Sequence, residues 1–464
     1  MAWNIGANDV ANAMGTSVGS GALTLKKAVI VAAVLEFSGA FLVGSHVTDT
    51  VRKGIVDPMM FKMNPEILMF GMLASLLAAA IWLQVATYFG LPVSTTHSIV
   101  GAIVGFALIS GGVDAVNWSK LWTIVASWVV SPITGGVFSF GIFTIIKSKI
   151  LNVEDPIHAT KKLAPYLVSS VFFILTLVLL FKGLKQLHLD MSLTEALQIA
   201  TIVAIISGVI SSFFIKRFLN KRIRNDHHKL KQNEKTLLLK QQLNESQELL
   251  NHSENIADET VQWKIKRIQS DIEDCLEDIS RRSSGKIDSD ESETFSTIER
   301  VFIALQIISA CFVAFAHGAN DVANAIGPMA AVISIIKTNS VIMKVSVPLW
   351  VLGLGGVGIV VGLATWGWRV IETIGKKITE LTPTRGFSAE FGAATTIVIA
   401  SKLGMPISTT HTLVGSVLGV GMARGVASLN MVLIRNIFMS WFITLPAGAI
   451  LSVIFFSIFK IIWG

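Results

Sequence analysis

Two short stretches hold the residues of this chain best able to do chemistry, and each occurs twice. Gly6–Ala13 reads GANDVANA, and the same eight letters return at Gly318–Ala325. Leu91–Gly105 reads LPVSTTHSIVGAIVG and is answered by MPISTTHTLVGSVLG at Met405–Gly419. On a helix, Asn8 and Asn12 stand four residues apart and Asp9 and Asn12 three apart, so their side chains converge on one face. Asn320, Asp321 and Asn324 repeat that pattern. A carboxylate beside amide oxygens makes a hard, oxygen-rich ligand set suited to Na⁺. An ionisable group inside a membrane span costs at least ~2.5 kcal/mol on insertion scales and marks function by default. The competing reading has Asn and Asp gluing helices whose Gly and Ala allow close approach.

The second motif breaks an apolar run at Pro92 or Pro406 and restarts a helix rich in Gly and small apolar residues. Ser94, Thr95 and Thr96, like Ser408, Thr409 and Thr410, occupy the restart, where hydroxyls bond free backbone N–H groups. Such N–H groups and the positive pole of the helix dipole make an anion site, and the hydroxyls add donors that fit a tetrahedral oxyanion. Broken helices are tolerated at membrane depth only where they line a cavity or are buried in protein. Two such ends can face each other across one anion; plain capping of re-entrant helices is the alternative. His97 and His411 follow directly, as hydrogen-bonded structural residues or as proton-coupling or anion-contacting groups.

Charge ties the motifs together. Two aspartates and an oxyanion of one or two charges sum to roughly −3 or −4, of which helix dipoles offset about one unit. Cations must supply the rest, so anion and cations load together. An anion channel would instead keep Lys or Arg in its path, and neither motif contains one. Glu36 in AVLEFSGA and Glu390 in GFSAEFGAATT do not occupy matching places in the two copies. Each is open to a cation- or proton-binding role or to helix packing.

These residues need a membrane scaffold. Of 464 residues, 52% are apolar and 15% charged, with a mean hydropathy of +0.64; soluble proteins carry about a quarter charged. Apolar runs near 28–48, 66–89, 98–113, 121–146, 163–185, 196–215, 298–336, 346–372, 386–403, 412–425 and 432–463 are candidate spans. The expected fold is an all-α polytopic membrane protein. Ile215–Arg224 abuts a span with five basic residues, which places it in the cytoplasm. KSK at 147–149 and TKK at 160–162, two spans earlier, fall on the same side. The net charge of +7 belongs to such loops and is a poor sign of nucleic-acid binding. Cys275 and Cys311 offer neither a disulfide framework nor metal-ligand spacing, and the opening MAWNIGAND carries no cleavable leader pattern.

Residues 216–297 form a polar block expected to be a cytoplasmic helical insert. Val261, Ile265, Ile268, Ile272, Leu276 and Ile279 recur at helical steps, and the ends RNDHH and SSGKIDSDESE are expected to be flexible. The block fits a regulatory or self-associating element, or a solvated linker helix.

Asn8 and Asn320 are 312 residues apart, His97 and His411 314, and Trp128 and Trp441 313. Landmarks that keep one offset mark a duplicated domain. The expected division is a first repeat at 1–150, two linking spans at 151–215, the insert at 216–297 and a second repeat at 298–464. The first copy ends and the second begins on the cytoplasmic side. With an odd number of crossings each, the copies have inverted topology and hold substrate near mid-membrane where they meet.

The duplicated GANDVANA and P-[VI]-STTH motifs resemble those of the inorganic phosphate transporter family, sodium-dependent and sometimes proton-dependent phosphate symporters. The resemblance covers both membrane halves and stops at the insert. It implies phosphate held by Ser94, Thr95, Thr96, Ser408, Thr409 and Thr410 on two re-entrant hairpins. It also implies sodium at Asn8, Asp9, Asn12, Asn320, Asp321 and Asn324, with no cofactor beyond the co-transported ion. A homodimer in the plasma membrane (the inner membrane of a bacterial cell), moving in an elevator-like cycle, is expected by the same likeness. A proton-coupled phosphate or sulfate permease of the same fold is the alternative. A metal hydrolase would need a clustered His/Asp/Glu set such as HExxH, which is missing; a membrane sensor signalling through the insert is a further rival. The copies differ in two respects. The second GANDVANA follows about 20 residues of span and the first only five, and Thr16 and Ser17 stand where the second copy has Pro328 and Met329.

Overall fold

The computed structural model describes residues 1–44, 55–180, 192–254, 265–276, 289–342, 347–402 and 407–463. Pro406, Val261, Ile279 and the ends of the expected spans at 45–48 and 181–185 lie outside them. Among the described residues the chain is helical, with one isolated bridge between Val56 and Val116.

The stretch expected to be the first repeat contains α1 (Ala2–Gly19), α2 (Leu25–Val43), α3 (Pro65–Tyr88), α4 (Thr95–Gly111) and α5 (Trp118–Ile146). α6 (Pro156–Val178) and α7 (Leu193–Glu254) follow. The rest of the chain contains α8 (Ser289–Thr338), α9 (Leu349–Thr365), α10 (Trp368–Glu372), α11 (Pro383–Lys402), α12 (Thr409–Arg424) and α13 (Met431–Trp463).

By length and composition six described helices can cross a membrane: α3, α5, α6, the first part of α7, α8 from Phe295, and α13. A bent pair, α9 with Trp368–Lys377, turning by 56°, makes a seventh. This corrects the longer list of candidate spans. The described parts of the segments near 28–48, 98–113, 386–403 and 412–425 fall in α2, α4, α11 and α12, which are too short, too charged or too polar to qualify. At 1.5 Å per residue, the 17 residues of α4 and 16 of α12 reach about 25 Å, short of a ~30 Å hydrocarbon core.

α1 is buried from Asn4 to Ser17. Its small residues permit this: a Cβ on Gly6 would fall on the Ile359 carbonyl of α9. The packing is reciprocal, because a Cβ on Gly318 of α8 would fall on the Glu36 carbonyl of α2. Gly39 meets the Phe315 carbonyl as Gly362 meets that of Trp3, and Gly101 meets the Leu445 carbonyl as Gly415 meets that of Pro132. Each of these glycine crossings recurs with the roles of the copies exchanged, as a two-fold relation requires. α4 thus packs on α13, and α12 on α5.

These close approaches make a stability prediction. Gly101→Ala and Gly415→Ala should each overpack a helix crossing at a cost of about 1–3 kcal/mol. Gly141, whose Cβ would meet nothing within 4 Å, should tolerate Ala. Melting of the three variants in detergent separates the cases; equal melting temperatures would show that the crossings yield.

The insert is helical, with a different break from the expected one. α7 runs 62 residues without interruption, about 93 Å, so Arg224–His228 is helical and not a flexible end. Gln247 Nε2 donates to Glu273 Oε1 at 3.2 Å and Gln269 Nε2 to Asn251 Oδ1 at 2.8 Å. Residue numbers that rise on one side as they fall on the other place the stretch 265–276 antiparallel on the end of α7. Ile265 is buried there, whereas Ile268 faces out. α8 then carries the chain unbroken into the second GANDVANA.

Candidate functional site

The four motifs meet. Glycine at 90 (φ +65°) turns the chain after α3, and Ser94 caps α4 by accepting the His97 N–H. Ser408 caps α12 by accepting the His411 N–H. The serines therefore close the helix starts, and the threonines project from them. Thr95 Oγ1 donates to Asp9 Oδ2 at 2.7 Å, and Thr409 Oγ1 reaches Asp321 Oδ2 at 3.5 Å. Asn12 Nδ2 donates to Thr410 Oγ1 at 2.9 Å, and Asn324 Nδ2 to Thr96 Oγ1 at 3.2 Å. Each asparagine thus holds a threonine of the other copy. Thr410 also donates to Asp9 Oδ1 at 3.3 Å, so a single carboxylate joins both Ser-Thr-Thr turns. Asn320 Nδ2 donates to Asp321 Oδ1 at 2.7 Å.

Asn8 has a different use. Its amide donates to Thr87 Oγ1 and the Leu91 carbonyl and accepts the Val93 N–H at 3.1 Å. It pins the segment that delivers Ser94.

A histidine unremarked in the sequence sits among the acids. His317 Nε2 lies 2.7 Å from Asp321 and 3.7 Å from Asp9, and its Nδ1 lies 3.5 Å from Glu36. One ligand atom each from Asp9, His317 and Asp321 fall within 4.8 Å of one another, all three residues buried. Both oxygens of Glu36 and Oδ1 of Asn12 are buried with no donor. Buried acceptors without donors call for an explanation, and three carboxylates around one histidine form a centre of negative potential that attracts a cation.

Glu390 builds a second cluster. Its carboxylate accepts from Ser17 at 2.9 Å, from Gln306 at 3.4 Å, and from Thr16 and Ser309. The acid of the second copy thereby touches the motif helix of the first, as Glu36 touches that of the second. A cavity of about 50 Å³, lined by Asn12, His317, Asn320, Glu390 and Thr409 among apolar residues, adjoins both clusters. It has room for a small ion or a few waters.

His97 and His411 do not face these acids. Their rings meet edge-on at 4.5 Å; His97 lies 3.8 Å from the Trp128 ring, and His411 stacks 3.6 Å from Trp441. Trp441 Nε1 donates to the Pro92 carbonyl at 2.9 Å. The stack ties one hairpin to the other, which fits the structural reading of the two histidines.

The profile of the phosphate transporter family matches residues 5–452. The inorganic phosphate transporter 2-1, chloroplastic, of Arabidopsis thaliana is 45% identical over 462 residues, spanning 99% of this chain and 70% of that protein. A solved structure described as the sodium-dependent phosphate transporter superposes with a TM-score of 0.76 at 36% identity, covering 100% of this chain and 96% of that one.

Proposed function

Given that the chain belongs to the phosphate transporter family, we propose that it is a secondary active carrier coupling inorganic phosphate to sodium across the plasma membrane. One observation carries this reading: the two Ser-Thr-Thr helix starts, one from each repeat, share the Asp9 carboxylate. Phosphate takes the first-turn N–H groups and hydroxyls of Ser94, Thr95, Thr96, Ser408, Thr409 and Thr410. Sodium takes Asp9, Asn12, Asn320, Asp321 and Asn324, beside the unpartnered oxygens of Asn12 and Glu36. An anion added to this cluster is bound only with cations beside it, and that mutual dependence is symport. Glu36 and Glu390 each approach the motif helix of the opposite copy and serve as coupling positions.

The exchanged contacts support two repeats of inverted topology in the membrane, with 1–150 and 298–464 as the repeats, 151–215 as linking helices and 216–297 as a cytoplasmic insert. A homodimer is the expected assembly. His317 favours a second reading, in which a proton on its ring replaces sodium between the acids. Uptake of ³²P-phosphate into proteoliposomes, with either a sodium or a pH gradient and with sulfate as competitor, tests both. Sodium-driven uptake resistant to sulfate supports the proposal, and equal uptake on a pH gradient without sodium overturns it.

Asn8, expected from the sequence as a sodium ligand, acts as a positioning residue. Asn8→Leu should loosen the first hairpin and raise the KM for phosphate about ten-fold, while the sodium concentration for half-maximal rate stays near wild type. A change confined to the sodium dependence would return Asn8 to the cation site.

A further inference from the structure

α6, α7 and α8 enclose an apolar groove of about 660 Å³ on the outer surface of the helical body. One wall runs from Val203 to Phe218 on α7, about 22 Å at 1.5 Å per residue, which exceeds the ~15 Å of one leaflet's hydrocarbon. Phe172 of α6 and Ala304 and Ile308 of α8 form the other wall. Ile206, Ile210 and Phe214 are each more than half exposed. The polar atoms along it are already satisfied: Ser207 and Ser211 donate to the Ala204 and Gly208 carbonyls of their own helix. Away from Arg300 the lining offers no free donor to a peptide carbonyl, whereas an alkyl chain needs no partner there.

One end is different. Arg300 lines the groove on α8, and Lys216, Arg217 and Lys221 line an adjoining recess on α7. Leu219 is buried in one cluster with Ile298, Val301 and Phe302, which sets this stretch of α7 level with Arg300. An apolar trough with Arg300 at one end and three more basic side chains in the recess beyond it has the charge pattern of a phospholipid: tail along the trough, anionic headgroup at the basic end.

We propose that this groove is a binding site for an anionic glycerophospholipid, its acyl chain against Phe214 and Ile210 and its phosphate at Arg300 and Lys221. The proposal rests on the membrane placement of α6–α8 and is independent of the transport reading.

Native mass spectrometry of the full chain in detergent tests it, by titration with phosphatidylglycerol and with phosphatidylcholine of identical acyl chains. Wild type should retain phosphatidylglycerol preferentially. Arg300→Gln with Lys221→Gln should weaken that binding about thirty-fold, roughly a factor of five per basic residue, and leave phosphatidylcholine binding unchanged. Ala304→Phe, which fills the trough and keeps the charges, should weaken both lipids. Equal binding of the two lipids to wild type, or wild-type phosphatidylglycerol binding in either variant, would overturn the assignment.

Discussion

Asp9→Asn is expected to abolish sodium-driven phosphate uptake, lowering the initial rate by at least about 100-fold. The Asp9 carboxylate accepts from Thr95 of one repeat and Thr410 of the other, and it lies within reach of His317. An amide has nearly the same shape but presents an NH₂ group where both neighbours already donate, so at least one threonine loses its acceptor. It also removes a negative charge from the cation site. Breaking one member of a buried charged network costs about 3–5 kcal/mol, a factor of roughly 10² to 5 × 10³. The measurement is ³²P uptake into proteoliposomes under an inward sodium gradient, with Glu66→Gln at the exposed start of α3 as the control. Near-wild-type uptake by Asp9→Asn would remove the shared carboxylate from the mechanism.

His317→Gln should be comparably severe and should differ in one diagnostic respect. The ring stands between Asp9, Glu36 and Asp321 at 2.7–3.7 Å, the one basic side chain at that centre among the described residues. A neutral amide leaves three carboxylates facing each other across a short gap. The variant should melt at lower temperature without sodium, and added sodium should recover more stability than in wild type, because a ligand that binds the folded state raises its melting point. Phosphate uptake should fall by about 100-fold. A melting temperature insensitive to sodium in both proteins would show that the cation binds elsewhere.

The meeting of the motifs was legible because duplication signals function: no local folding rule asks for the same eight letters twice, 312 residues apart. The helix starts were legible too, since Ser94 and Ser408 followed by two threonines spell an N-terminus. His317 was missed because it lies one residue outside the repeated octapeptide. Its signal was present: the first copy has Ile5 at the matching place, and an apolar residue exchanged for an ionisable one is the asymmetry to look for. Glu36 and Glu390 resisted pairing for a different reason. The glycine contacts match Glu36 to Ile359, eleven residues out of step with the motif offset, mostly because the second motif helix runs on to Thr338 whereas the first stops at Gly19. Glu390 has no acidic counterpart in α3 beyond its first turn. The use of Asn8 as a pin was invisible, since the hairpin backbone it holds is distant in sequence. The length of α7 was hidden as well: a polar helix continuing a span shows a change of composition and no change of conformation.

The exchanged glycine crossings also bear on how the protein is made. When a ribosome has released only the first 150 residues, α4 and α5 have emerged, but their packing surfaces await α13 and α12. Those glycine-lined surfaces stay bare until the carboxy-terminal third of the chain is synthesised. The amino-terminal half therefore completes its packing only after the rest of the chain has been made. Two separately expressed halves would survive only if they found each other in the bilayer before degradation.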